Sequence, residues 1–208
     1  AILMPLFMAA ARNVRMDIPV SAMILSAVYF FLLGLQKPVY LIGIGISIGL
    51  GIMFKSVIGL LALPIILIWA LTMRKWGWVK SRFLYIGAVA GLIIVAPWHI
   101  YESVKFGSAF WKDYLGYHIF DRYTQNILGS KITVGYYLAT LWERSEPILP
   151  VIILGVILLV VLCLAKKKEF LRAPIASLLS ALFIFLIFSI SKTKLMTYFT
   201  PLYPFSAI

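Results

Sequence analysis

The stretch PVYLIGIGISIGLGIMFKSVIGLLALPIILIWALTM, residues 38–73, decides the fold, and its only charged residue is Lys55. A helix needs about 20 residues to cross the ~30 Å hydrocarbon layer, so this run is too long for one crossing. Lys55 divides it into two short ones, Pro38 to Phe54 and Val57 to Met73. Short crossings favour tilted or shallow helices. The loop that follows, RKWGWVKSR at 74–82, holds Arg74, Lys75, Lys80 and Arg82 without an acid, which the positive-inside rule reads as cytoplasmic.

Composition agrees with a membrane protein. The chain of 208 residues is 63% hydrophobic and 12% charged, with a mean hydropathy of +1.02, far from the soluble average of about a quarter charged. Lys and Arg outnumber Asp and Glu by 19 to 7. Nucleic-acid binding would gather such an excess on one soluble face, whereas here it forms short patches between apolar runs. No nucleic-acid partner is expected. The single cysteine, Cys163, falls inside an apolar run and excludes an internal disulfide or a Cys/His metal box. The chain starts without Met in apolar sequence and stops at Ile208 just after an apolar run begins, so both ends are expected to be cut from a longer protein.

Outward from the central run, Ile18 to Gln36 makes an earlier crossing, with Asp17 as its expected N-cap and Pro19 in its first turn. Phe83 to Trp98 crosses next, residues 99–146 stay outside, and Pro147 to Ala165 returns to the basic patch KKKEFLR at 166–172. Pro174 to Ile190 crosses outward again, SKTKLMTY at 191–198 lies outside, and Phe199 begins another inward run. The expected fold is all-α: a polytopic transmembrane helical bundle with interfacial helices in an outer loop. Counted from the basic loops, Asp17, Lys55, the 99–146 interval and Lys192 to Tyr198 all fall on the non-cytoplasmic side.

Within the outer interval, Phe106, Phe110, Tyr114 and His118 recur every four residues. That spacing gives an aromatic stripe on a helix lying in the interface, with Gly107 and Gly116 as possible breaks. Tyr136, Tyr137, Leu141 and Trp142 suggest a second amphipathic segment.

Each polar residue has a plain reading beside a functional one. GIGISIGLGIMFKS at 43–56 fails as a phosphate-binding P-loop, because Phe54 precedes Lys55 and no strand precedes the run; Gly45 and Gly49 instead form a small-residue packing face. Lys55 is either a snorkelling turn residue or a functional cation. Asp17 is a helix cap or an active-site acid. His118 and Arg122, one turn apart, are a polar rim or a proton-transfer group beside an anion binder. Lys192, Lys194 and Tyr198 lie where positive charge gains nothing from topology, which favours a local anion such as phosphate.

Four stretches carry a resemblance: ARNVRMDIPVSAMILSAVYFFL (11–32), GLGIMFKSVIGLLALP (49–64), APWHIYESVKFGSAFWKDYLGYHIFDRY (96–123) and SISKTKLMTYFTPLYP (189–204). In this order they resemble the GT-C superfamily of polyprenyl-phosphate-sugar glycosyltransferases, which includes the protein O-mannosyltransferases and the aminoarabinose (lipid A) transferases. On that resemblance the chain is part of a single transmembrane GT-C-type domain with residues 99–146 as its outer loop. The resemblance implies an inverting transfer of a sugar from a polyprenyl phosphate to a lipid or protein hydroxyl. The active face would be the periplasmic or extracellular side of the plasma (inner) membrane. It implies a carboxylate base, with cationic groups or a divalent metal at the departing phosphate.

Asp17 matches the acid after the family's R-x-x-R-x-D pattern, as a supporting acid or metal ligand. Lys55 matches the Lys of an L-x-K-G-like turn, although Ser56 stands where Gly is usual. His118 and Arg122 match the Y-H-x-x-x-R-like end of the outer segment, and Lys194 and Tyr198 match K-L-x-x-Y-x-x-P. The implied lipid-phosphate ligands are Lys55, Arg122, Lys194 and Tyr198, with Lys192 beside them. The family's principal acid lies in an outer loop upstream of these stretches, so 1–208 alone is expected to be inactive. Two other readings remain: a transporter or flippase for a lipid-linked or anionic solute, and a non-catalytic scaffold subunit. A transporter would place charges near the midplane and often carry an internal repeat; no repeat is visible and the charges gather at one face.

Overall fold

The computed structural model describes residues 5–13, 15–125, 135, 153, 155–157, 161, 168–193 and 195–206. Among these residues there is no β-strand; the chain is a bundle of membrane-length helices. Helix α1 (Pro5–Arg12) leads through a short link into α2 (Asp17–Gly34). A 3-10 turn at Pro38–Leu41 opens α3 (Ile42–Lys55), and a second at Ser56–Leu61 opens α4 (Ala62–Met73). After the 3-10 turn Gly77–Lys80 comes α5 (Arg82–Phe106), followed by α6 (Ser108–Trp111), a π-helical segment Lys112–Asp121 and the single turn α7 (Arg122–Thr124). Helix α8 (Lys168–Ile190), a 3-10 turn Met196–Phe199 and α9 (Leu202–Ser206) complete the described elements.

The decisive run does fold back on itself at Lys55. Ser56 takes φ 51° and ψ −141°, which reverses the chain. The two arms meet at Gly51 and Gly59, where a Cβ on Gly51 would lie 3.1 Å from the Gly59 Cα. The far end of α4 closes with Arg74 in the left-handed region and the Lys75 N–H donating to the Ala70 carbonyl, a Schellman-type stop that directs the basic loop out of the bundle.

Lipid tails are as apolar as leucine, so helices in a membrane associate by close packing rather than by hydrophobic exclusion. Helix α3 shows how. Its glycines face the glycines of α5, Gly45 against Gly87 and Gly49 against Gly91, and a Cβ on Gly49 would lie 2.9 Å from the Gly91 carbonyl oxygen. Those two glycines are the buried residues of α5; its outer face, with Val89, Leu92, Ile93 and Val104, is exposed. On the other side α2, α4 and α8 bury Ile24, Phe31, Ile65, Trp69 and Ile184 in one core. A hydrogen bond of 3.1 Å from Trp69 Nε1 to Ser180 Oγ ties α4 to α8 inside it.

Two boundaries differ from the sequence reading. Helix α5 does not end at Trp98 but runs through Pro97 to Phe106. An internal proline removes one backbone hydrogen bond, and the helix continues because the following turns are held by side chains: His99 Nδ1 meets the Val95 carbonyl at 2.9 Å and the Ser103 hydroxyl donates to the His99 carbonyl. The helix stops at Gly107, at φ 57°. Likewise α8 begins at Lys168 and carries Pro174 inside it. The amphipathic segment at Tyr136–Trp142 and the crossing from Pro147 to Ala165 lie outside the described residues or nearly so.

The glycine seam is directly testable. Replacing Gly45 with Leu puts a side chain into the Gly87 backbone, which cannot yield, and should destabilise the bundle by about 3 kcal/mol or more. Gly77→Ala, at a position with open space around it, should leave the thermal unfolding midpoint in detergent unchanged.

Candidate functional site

Asp17 opens α2 as its first residue, yet its carboxylate does not cap that helix. The N-cap expectation is corrected: the residue before the helix is Met16, in helical conformation, with no side-chain cap. The carboxylate instead accepts an ion-paired hydrogen bond from Lys55 Nζ at the tip of the α3–α4 hairpin. The physical reason is burial. With the Asp17 side chain 8% exposed and that of Lys55 24% exposed, each charge is held largely out of water and requires an opposite partner.

Lys55 has a second neighbour. Its ammonium lies 5.4 Å from the centroid of the Tyr198 ring, a cation–π contact, and that ring stacks on Phe188 of α8 at 5.1 Å. Tyr198 is buried within the 3-10 turn Met196–Phe199. The same turn meets the α1–α2 link, where Arg15 Nη1 approaches Thr197 Oγ1 at 3.5 Å. From the other direction, the Lys192 N–H donates to the Tyr123 carbonyl at 3.0 Å, and the Thr193 hydroxyl donates to the Gln125 carbonyl at 2.6 Å.

Segments far apart in sequence are thereby joined at one end of the bundle: 15–17, 55–56, 122–125 and the described residues 191–193 and 195–199. Asp17, Lys55 and Tyr198 are in direct contact, and Lys192, with its side chain exposed, is tied in through its backbone. His118 lies in the π-helical segment and Arg122 begins the turn that contains Tyr123. Lys194 lies outside the described residues. The opposite end is marked by the Arg74–Arg82 loop, where Trp78 packs edge-on against Phe31 of α2 at 5.3 Å.

Sequence reasoning missed Arg15 as a site residue, although it stands two positions before Asp17 in the R-x-x-R-x-D pattern. It also missed His99. The His99 Nε2 lies 2.9 Å from the Tyr114 hydroxyl; with Nδ1–H donating to Val95, that hydroxyl donates to Nε2 in the neutral ring. Around this bond Trp98, Phe110, Trp111 and Tyr114 make a cluster of tilted and edge-on rings. The cluster folds residues 108–114 back on the end of α5 and so sets the direction of the segment carrying His118 and Arg122. The expected aromatic repeat was a fragment of this arrangement. Phe110 and Tyr114 do stack, at 5.2 Å, but Phe106 is exposed before the break at Gly107, while Gly116 stays inside the π-helical segment.

The Asp17 carboxylate is engaged by Lys55, and among the described residues no group of three His, Cys, Asp or Glu side chains gathers around it.

Ser56 carries strain. A side chain at φ 51° is unfavourable, and its Oγ is buried without a hydrogen-bond partner. Ser56→Gly removes both costs and should raise unfolding stability by about 1–2 kcal/mol, read as an increased thermal midpoint; a decrease would contradict this account of the turn.

A helical membrane bundle whose polar end is assembled from four separated segments is the arrangement that the sequence resemblance implies. The comparisons with known proteins agree. Residues 1–101 match the family model described as dolichyl-phosphate-mannose-protein mannosyltransferase, a match that includes Asp17 and Lys55. Among solved structures, the chain is similar to the crystal structure of ArnT from Cupriavidus metallidurans bound to undecaprenyl phosphate. The TM-score is 0.68 and the identity 25%, over 91% of this chain and 35% of that one. No curated protein matches the chain. The chain shares the fold of that structure and spans about a third of the length of the ArnT chain.

Proposed function

We propose that the protein to which this chain belongs transfers a sugar from a polyprenyl phosphate to an acceptor hydroxyl on the non-cytoplasmic face of the plasma membrane, with inversion at the sugar carbon. The observation that carries the reading is the convergence of Asp17, Lys55, Tyr198 and the 122–125 and 191–193 segments at the end of the bundle opposite the basic loop. Its support from outside is the likeness to a structure holding undecaprenyl phosphate.

In the reaction, the bond between the sugar C1 and the phosphate oxygen breaks and its electron pair stays on that oxygen. The acceptor oxygen forms the new bond to C1, and its proton passes to a carboxylate base. The lipid phosphate therefore leaves with one more negative charge than it had in the donor. Preorganised cations that meet this growing charge lower the barrier. Lys55, Arg122, Lys192 and Lys194 are the residues assigned to that task, with His118 on the same segment as Arg122 as a proton-transfer group. Asp17 directs the Lys55 ammonium, as a positioning residue. The principal base comes from upstream of residue 1 in this reading. The acceptor is a lipid or a protein hydroxyl. A transporter would place its ion pair at mid-bundle, whereas Asp17 and Lys55 sit at a helix start and a hairpin tip.

In the full-length protein, Arg122→Ala or Lys194→Ala should lower transfer from a polyprenyl-phosphate sugar by about a hundredfold with insertion and folding retained. Unchanged turnover in both variants overturns the assignment.

A further inference from the structure

We infer that Arg15 is a further anion-binding residue of the lipid-phosphate site, adding to Lys55, whose charge is paired with Asp17, a charge that is not so paired. This deepens the reading above and rests on it. Lys55 is the cation that the sequence singles out, but its charge is already balanced. Its ammonium is bonded to the Asp17 carboxylate and covered on one side by the Tyr198 ring. An incoming phosphate meets this pair as a dipole of zero net charge.

Arg15 stands differently. It lies two residues before Asp17, its side chain is exposed, and its Nη1 contacts the Thr197 hydroxyl rather than a carboxylate. Lys55–Asp17 is the one ion pair among the described residues, so the Arg15 guanidinium has no acidic partner there. Thr197 adjoins Tyr198 in the same 3-10 turn, which places the guanidinium on the segment whose next ring covers Lys55. A planar guanidinium presents paired N–H donors that match two phosphate oxygens, and a weak neutral contact to one nitrogen leaves the rest of the fork for that use. The guanidinium therefore adds, beside the cations already assigned to the phosphate, a unit charge that no acid among the described residues balances. It also stands ready for the second charge that develops on the phosphate as the bond to C1 breaks.

The test compares binding of undecaprenyl phosphate and of the uncharged undecaprenol to the full-length protein in nanodiscs. The wild type should prefer the phosphate, and Arg15→Gln should lose about tenfold of that preference while binding the alcohol as before and melting at the same temperature. Arg15→Lys should restore part of it, because charge is kept and the bidentate fork is lost. If the wild type shows no preference, the proposed function falls and the inference with it. If the wild type prefers the phosphate and Arg15→Gln prefers it equally, the inference alone is overturned. Should Arg15→Gln not fold, Arg15→Lys decides: a reduced preference supports the assignment and an unchanged one removes it.

Discussion

The Asp17–Lys55 pair is the constraint on which the rest of the polar end depends. A lysine at the tip of a hairpin between two apolar helices has two ways to keep its charge: reach water, or find a carboxylate. Here it finds the carboxylate, and the consequence is structural. The start of α2 is fixed to the α3–α4 turn, and the ring of Tyr198 closes over the ammonium. Once these three residues are fixed, the 191–199 segment has a defined place, and the backbone bonds from Lys192 and Thr193 bring the 122–125 segment to it. The polar end is a set of individually weak contacts organised around one charge pair.

The hairpin could not stand there without the glycine seam behind it. Helix α3 is short, and it is held by backbone approach to α5 at Gly45 and Gly49, the geometry by which helices gain dispersion contact where lipid offers no hydrophobic drive. The seam leaves the outer face of α5 to lipid and lets its last turns run past Pro97, where the His99–Tyr114 bond turns the chain back. Packing in the membrane thus determines where the aqueous segment starts, and the aromatic cluster determines its direction.

Much of this is legible from residue type and spacing. Run length against bilayer thickness marks the crossings. Lys55 marks the fold-back, because a lone charge in so long an apolar run is costly at mid-membrane and a hairpin tip brings it to the membrane surface. Counting from the basic loops places Asp17, Lys55 and Tyr198 at one end without knowledge of any contact. Contacts that depend on exact chain direction are not legible in this way. Asp17 looks like an N-cap because capping and ion pairing ask for the same residue at the same place. Trp98 looks like a helix end because Pro97 precedes it, and a four-residue repeat hides both the break at Gly107 and the π-helical turns after it. Arg15 escapes notice because nothing in its spacing tells that Thr197 lies beside it.

The pairing of Asp17 with Lys55 is measured most directly by a double-mutant cycle on unfolding stability, using Asp17→Asn, Lys55→Met and the two together. Each single change strands the opposite charge in a largely buried site and should cost about 3 kcal/mol, whereas the double variant should cost much less than the sum. Strictly additive losses would mean that the two charges do not hold each other, and the account of this end of the bundle would be wrong.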